Sequence, residues 1–249
     1  MKFKKKNGLY LPKHYMGCMG IEDQFPFKWS KVTALRKGVK SPSGGGGTTG
    51  GSAGSSTAGI TRIGVEHHEL IEFPYIFEAT VPVGTTLMVL FDCGYSSGNN
   101  RMTAANMETI HDFIMDYTAL ASGAYVSIGH LFIDAAHEGS QTINITKAGM
   151  EYDSIIFGVY YSGVGSIGDI DGTNASGSIT LTTAVGNVVI LGASGDNDPA
   201  WTNATQIDTH VTGSALYGET AQMTADGLTE TISHNAETPA IAGIVLVAA

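Results

Sequence analysis

Charge is the scarcest property of this chain. Lys, Arg, Asp and Glu make up 14% of it, against roughly 25% in an average soluble domain. The few basic residues are also badly spread. Residues 1–40 hold ten of the thirteen, with only Glu22 and Asp23 as acids, so this arm is +8. With the whole chain at −10, residues 41–249 carry −18. Nucleic-acid binding rests on neutralising phosphates, and a body this acidic repels them, so nucleic acid is not the expected partner. A basic arm on an acidic body instead suits docking onto the acidic surface of a neighbouring subunit.

Cysteine is nearly absent. Cys18 and Cys93 lie far apart, form no CxxC, and read as free thiols. That excludes a disulfide-stapled scaffold and a thiolate metal knuckle. Long apolar runs are missing too. The stretch Ile241–Ala249 is among the longest, well short of the roughly 20 residues that a helical membrane span needs. The basic start MKFKKK is followed by GLYLPKHYMGCMG, where a secretory signal would need an uninterrupted apolar core. The expectation is a protein made in a cytosol without a signal peptide and without a membrane partner.

Gly, Ser, Thr, Ala and Asn fill the space that charge vacates, and they do so in three regions. Residues 1–40 form the basic arm, with Phe25, Phe27 and Trp29 close together and Pro12 and Pro26 breaking any long helix. This arm reads as extended or looped. Residues 41–59, SPSGGGGTTGGSAGSSTAG, offer no side chain large enough to offset the entropy of ordering them, so they read as a flexible linker. Residues 60–249 read as strand after strand.

The candidate strands are Ile60–Glu66, Ile71–Val81, Thr86–Phe91, Ala124–Ile133, Thr142–Thr146, Asp153–Tyr161, Gly177–Thr183, Asn187–Ala193, Thr202–Val211, Leu228–Ser233 and Ile241–Val247. They are rich in Val, Ile, Thr and Tyr and are separated by recurring turn signals. SITLTT sets Ile179 and Leu181 on one face and Ser178, Thr180 and Thr182 on the other. NVVIL is apolar throughout, as in a strand covered on both sides. In Asn106–Ala121 the residues Ile110, Phe113, Ile114 and Tyr117 have helical spacing, so this segment is either a short helix or an elaborated strand pair. The fold class is all-β: an antiparallel two-sheet β-sandwich, jelly-roll or immunoglobulin-like, with an extended N-terminal arm and a Gly-rich linker.

The motifs that carry chemistry elsewhere lack their context here. Gly94-Tyr95-Ser96-Ser97-Gly98 matches G-x-S-x-G, but a nucleophile elbow needs a strand–turn–helix in an α/β sheet, and no such alternation exists. Gly163-Val164-Gly165-Ser166-Ile167-Gly168 matches G-x-G-x-x-G, yet DIDGTNASG follows it, which reads as a loop where a phosphate-binding helix should start. In Glu66-His67-His68-Glu69 a strand places His67 and Glu69 on one face and Glu66 and His68 on the other, so each face is one ligand short of an ordinary metal set. Asp169–Asn174 and Asp196–Asp198 read as Asx turns connecting strands, with a calcium site as the alternative, although the first lacks the spacing and terminal Glu of an EF-hand loop. The sequons at Asn144, Asn174 and Asn203 matter only in a glycosylating compartment. Tyr152, Tyr160, Tyr161, Trp201 and Tyr217 read mainly as packing, with a sugar-stacking platform as the alternative. No catalytic residue, cofactor or metal is expected, and the chain is not expected to be an enzyme.

From about Thr85 onward the order of pieces resembles a β-sandwich module of bacteriophage and environmental-virus particles. The pieces are TTLMVLFDCGYSSG, a surface insert Asn99–Ser122, SQTINITKAG, DSIIFGVYYSGV, GDIDGTNASG, SITLTTAVGNVVILGAS and the closing AIAGIVLVAA. The resemblance implies a structural component of the virion, as a capsid decoration, fibre or tail protein. Its partners would be other copies of itself and neighbouring virion proteins. On this reading Lys2, Lys4, Lys5, Lys6, Phe25, Phe27 and Trp29 make the assembly contacts. The alternative is an adhesin module of a phage tail or cell surface, binding a host glycan or receptor.

Overall fold

The computed structural model describes residues 3–6, 9–12, 59–70, 74–95, 101–120, 123–149, 154–173, 177–195, 200–212, 217–235 and 240–249. The chain divides into two compact units, Met1–Ser52 and Ala53–Ala249. In the first, β1 (Phe3–Lys6) and β2 (Leu9–Pro12) pair antiparallel, Lys5 opposite Tyr10 and Lys6 opposite Leu9. The start of the arm is thus a short hairpin, more regular than the extended or looped chain expected from its prolines.

Among the described residues of the second unit, the regular elements are strands apart from one 3-10 turn at Ala135–His137. Its first half contains β3 (Thr61–Leu70), β4 (Tyr75–Val81), β5 (Leu87–Tyr95), β6 (Met102–Met107), β7 (His111–Asp112), β8 (Ile114–Leu120), β9 (Ala124–Phe132), β10 (Gly139–Lys147) and β11 (Ser154–Ser162). The second half contains β12 (Val164–Thr173), β13 (Ser178–Thr182), β14 (Val188–Gly195), β15 (Trp201–Thr202), β16 (Thr205–Val211), β17 (Tyr217–Thr224), β18 (Thr229–His234) and β19 (Ala240–Ala248).

These strands make four antiparallel sheets. Two have five strands, β3-β11-β5-β9-β8 and β12-β19-β14-β17-β16; β4-β10-β6-β7 and β13-β18-β15 are smaller. Three apolar layers bind them into one stack. Val89, Phe91, Phe157 and Ile128 of one five-stranded sheet meet Ile190, Ala242 and Ile244 of the other, which is the expected sandwich. Met88, Leu90 and Ile156 pack outward against Phe77 and Ile143, and Leu191 and Val245 pack outward against Leu181 and Ile232. Each five-stranded sheet is therefore covered on both faces. That explains why LMVLF, IIFGVYY, VVIL and IAGIVLV are apolar without alternation, whereas the outer strands YIFEATV and SITLT alternate buried and exposed residues.

The two halves repeat one topology. β3 pairs β11, β5 pairs β9, and β4 neighbours β10; in the second half β12 pairs β19, β14 pairs β17, and β13 pairs β18. Nested pairing of first with last strand, second with next-to-last, and so inward, is the jelly-roll order. The correspondence holds residue by residue. One transverse row reads His67, Phe157, Phe91, Ile128, Tyr117. Its counterpart reads Gly172, Ala242, Gly192, Thr220, Asp208. The sheets face each other with these rows reversed: Phe91 meets Gly192, Tyr117 meets Gly172, and His67 meets Asp208. The relation is a pseudo-twofold axis running along the strands. Glycine at 192 and 172 is required by it, because a Cβ at either position would fall on the ring of Phe91 or Tyr117.

Of the two readings left open for Asn106–Ala121, the described residues 106–120 take the strand one: Phe113 and Tyr117 are packed inward while Ile110 and Ile114 are exposed, on a turn and on strands. The segment read as a loop after Gly163 is strand β12, whose paired glycines give its neighbours room.

Candidate functional site

The residues expected to make assembly contacts are only partly within the described structure. Lys4, Lys5 and Lys6 lie on β1, whereas Lys2, Phe25, Phe27 and Trp29 fall outside the described residues. Ser96, Cys18, Tyr152, Asn174 and Asp196–Asp198 also fall outside them.

Inside the body, many of the polar side chains are bound to one another or to the backbone. Asp169 accepts the Thr182 amide at 2.7 Å and Asp171 accepts that of Thr180 at 3.4 Å, so the carboxylates read as turns tie β12 to β13 instead. Asn144 donates to Asn106 at 3.1 Å across β10 and β6. Tyr160 and Tyr161 are buried, their hydroxyls donated to Glu66 and Gln222, and burial pushes both phenols well above their ordinary pKa. Trp201 is half-buried and donates to Glu219 at 2.9 Å. Of the body's described aromatic side chains, Phe132 alone is exposed. The five aromatics considered as a sugar platform therefore do not assemble one from their described members. Cys93 is a free thiol at zero exposure, and burial raises its pKa far from reactivity.

Two places concentrate polar groups at the surface. One is the seam where edge strand β3 meets edge strand β16. The shared face of His67 and Glu69 expected from alternation is present, and β16 answers it with Asp208 and His210. His67 donates to Asp208 at 2.8 Å, the two imidazoles lie 4.5 Å apart, and His210 stands 3.9 Å from Glu69. The hydrogen bond to Asp208 raises the pKa of His67, against the opposing effect of burial. Sequence spacing did not reveal the second pair, which lies about 140 residues downstream; its only sign is the same i, i+2 spacing of acid and histidine. At the pseudo-equivalent seam, Tyr117 donates to the Gly172 carbonyl at 3.1 Å, so a hydroxyl–carbonyl bond stands where the first seam has His67 and Asp208. The second place is an open groove of about 310 Å³ lined by Arg101, Thr103, Asp116, Tyr117 and Thr118 among others. Asp116 sits at a bulge in β8 and accepts from His130 at 2.7 Å.

Among the described residues no three His, Cys, Asp or Glu side chains converge to hold a metal ion, and no helix is long and apolar enough to cross a membrane. The chain matches no known family, no curated protein and no solved structure.

Proposed function

We propose that the chain is a non-enzymatic structural component of a virus particle of the bacteriophage kind, anchored by its basic N-terminal arm. The observation that carries this reading is the four-sheet body, whose polar groups are spent on its own cohesion. Such a stack suits a building block, and among the described residues no nucleophile–base pair opens onto a cleft.

One end of the body supports the reading further. Ser194 donates to the Gly94 carbonyl at 3.0 Å and Gly192 faces Phe91, so β5 and β14 run the same way at the same height. The turns that precede them therefore emerge together, carrying Val83 (84% exposed) and Val185 (73% exposed) at their tips. Gly59, Gly163 and Ala249 meet at this same end, close to where the linker joins. An arm that seats the body on a particle would bring these two valines against the supporting surface. The groove beside Asp116 favours the second reading, a glycan- or receptor-binding adhesin, since a polar cleft with one arginine suits an oxygen-rich ligand.

Immunogold electron microscopy of purified particles with antibody to the body tests the proposal. Label at regular positions over the particle is expected. Label confined to a tail tip would favour the adhesin, and label absent from particles would overturn the structural role.

A further inference from the structure

Residues 60–249 contain three cationic side chains, Arg62, Arg101 and Lys147, in a strongly acidic body. One of the three is wholly internal. Lys147, at the end of β10, reaches Asp92 of β5 at 2.9 Å, and both side chains have zero exposure. They belong to different sheets, so the contact bridges the two layers of the first jelly roll. The lysine nitrogen also touches the hydroxyls of Tyr125 (3.1 Å) and Ser154, with the rings of Tyr75 and Tyr125 alongside at 5.3 and 5.7 Å. The second carboxylate oxygen of Asp92 accepts the Met102 amide at 2.8 Å.

The fold does not demand this pair. At the pseudo-equivalent position the second half has Ala193, equally buried, on the same face of the corresponding strand. Burying two opposite charges costs several kcal/mol in desolvation that their attraction only partly returns. A covalent amide would discharge both.

We propose that Lys147 and Asp92 condense into an intramolecular isopeptide bond that locks the outer sheet to the inner one. Nζ lies 2.9 Å from Oδ1, one bond away from the carbon it must attack. In the step, Nζ–Cγ forms and Cγ–Oδ1 breaks. Two of the three ammonium protons leave with Oδ1 as water, and the third stays on the new amide. Oδ2 becomes the amide carbonyl oxygen, and the charge it carries at the tetrahedral stage is held by the Met102 N–H, an oxyanion-type contact. Tyr125 interacts with Asp92 and touches Nζ, so its hydroxyl is placed to relay the proton from nitrogen to the departing oxygen. No oxidant or other reactant is required. The inference is independent of the assembly reading.

The test is the intact mass of the full chain, kept folded for several days, followed by digestion with trypsin under denaturing conditions. The expected mass is one water below the sequence mass. Acylated Lys147 is not a trypsin site, so residues 63–101 should remain joined to residues 102–249 as one branched species. Asp92→Asn should be lighter by one ammonia instead, Lys147→Met should have its full sequence mass, and Tyr125→Phe should slow the loss. A wild-type chain at full mass, cleaved completely after Lys147, overturns the proposal. So does a loss of water with cleavage after Lys147 intact, which would place the loss in an imide such as one at Asp171-Gly172 or Asp226-Gly227.

Discussion

Replacing Gly192 by alanine probes the face-to-face contact on which the pseudo-twofold arrangement rests. A Cβ at this position lands on the Phe91 ring, 2.9 Å from Cγ and 3.0 Å from Cε1. Cδ1 is nearer still, so contact at ordinary distance would need the ring to retreat by about 1 Å, and Phe91 is fully buried among other core side chains. Overpacking of this kind costs about 1–3 kcal/mol. Alanine returns about 0.5 kcal/mol by restricting the unfolded backbone, leaving a net loss of about 0.5–2.5 kcal/mol. For a body of this size, 1 kcal/mol corresponds to about 2–4 °C, so Tm should fall by about 1–10 °C in a calorimetric scan. Trimming the ring should relieve the clash. Phe91→Leu combined with Gly192→Ala should be more stable than the two separate losses add up to, with a coupling of about 0.5 kcal/mol or more. An unchanged Tm for Gly192→Ala, with strictly additive behaviour in the pair, would show that the two sheets do not meet there.

The seams make a contrasting pair. The pKa of His67 is raised by its bond to Asp208. The stability it contributes is therefore full below the ordinary histidine pKa and is lost as pH rises through the raised value. Asp208→Asn should remove that dependence from a stability–pH curve across the histidine range, while Tyr117→Phe at the other seam should cost about 1 kcal/mol through loss of its hydrogen bond to Gly172. A chain beginning at Ile60 should be soluble, β-rich by circular dichroism and cooperative on melting; aggregation would mean that the preceding residues complete the core. Substituting Lys2, Lys4, Lys5 and Lys6 together by glutamine should weaken incorporation into particles. Wild-type incorporation should itself weaken as salt shortens the screening length from about 10 Å at 0.1 M to about 3 Å at 1 M. Normal incorporation of that variant would assign anchoring to Phe25, Phe27 and Trp29.

The strands that carry β-branched residues were legible from the sequence: each candidate run overlaps an observed strand, although Thr202–Val211 spans the end of β15 and the whole of β16, which lie in different sheets. Those that escaped share a physical reason. β12 is rich in Gly and Asp because it runs along an edge where Gly172 must admit Tyr117 and where Asp169 and Asp171 hold β13. β17, YGETAQMT, lacks β-branched bulk, and its Gly218 lies against Ile155, Phe157 and Cys93 of the facing sheet. In both cases composition records a contact with the opposite sheet, which no local pattern contains. The helical spacing of Ile110, Phe113, Ile114 and Tyr117 is a coincidence of a turn followed by strands whose inward residues serve different layers. The Asp92–Lys147 bridge was hidden for a similar reason. Asp92 sits at the end of an apolar run and Lys147 closes a strand 55 residues later, and only the stacking of sheets brings them together.

Copy number decides most directly whether the chain is part of a particle's architecture. Quantitative mass spectrometry of gradient-purified particles, referenced to the most abundant particle protein, gives it. A structural subunit predicts a fixed stoichiometry that matches the particle's symmetry and persists through repeated purification. A low, variable stoichiometry that falls with each gradient, or absence from the particle altogether, would contradict the account.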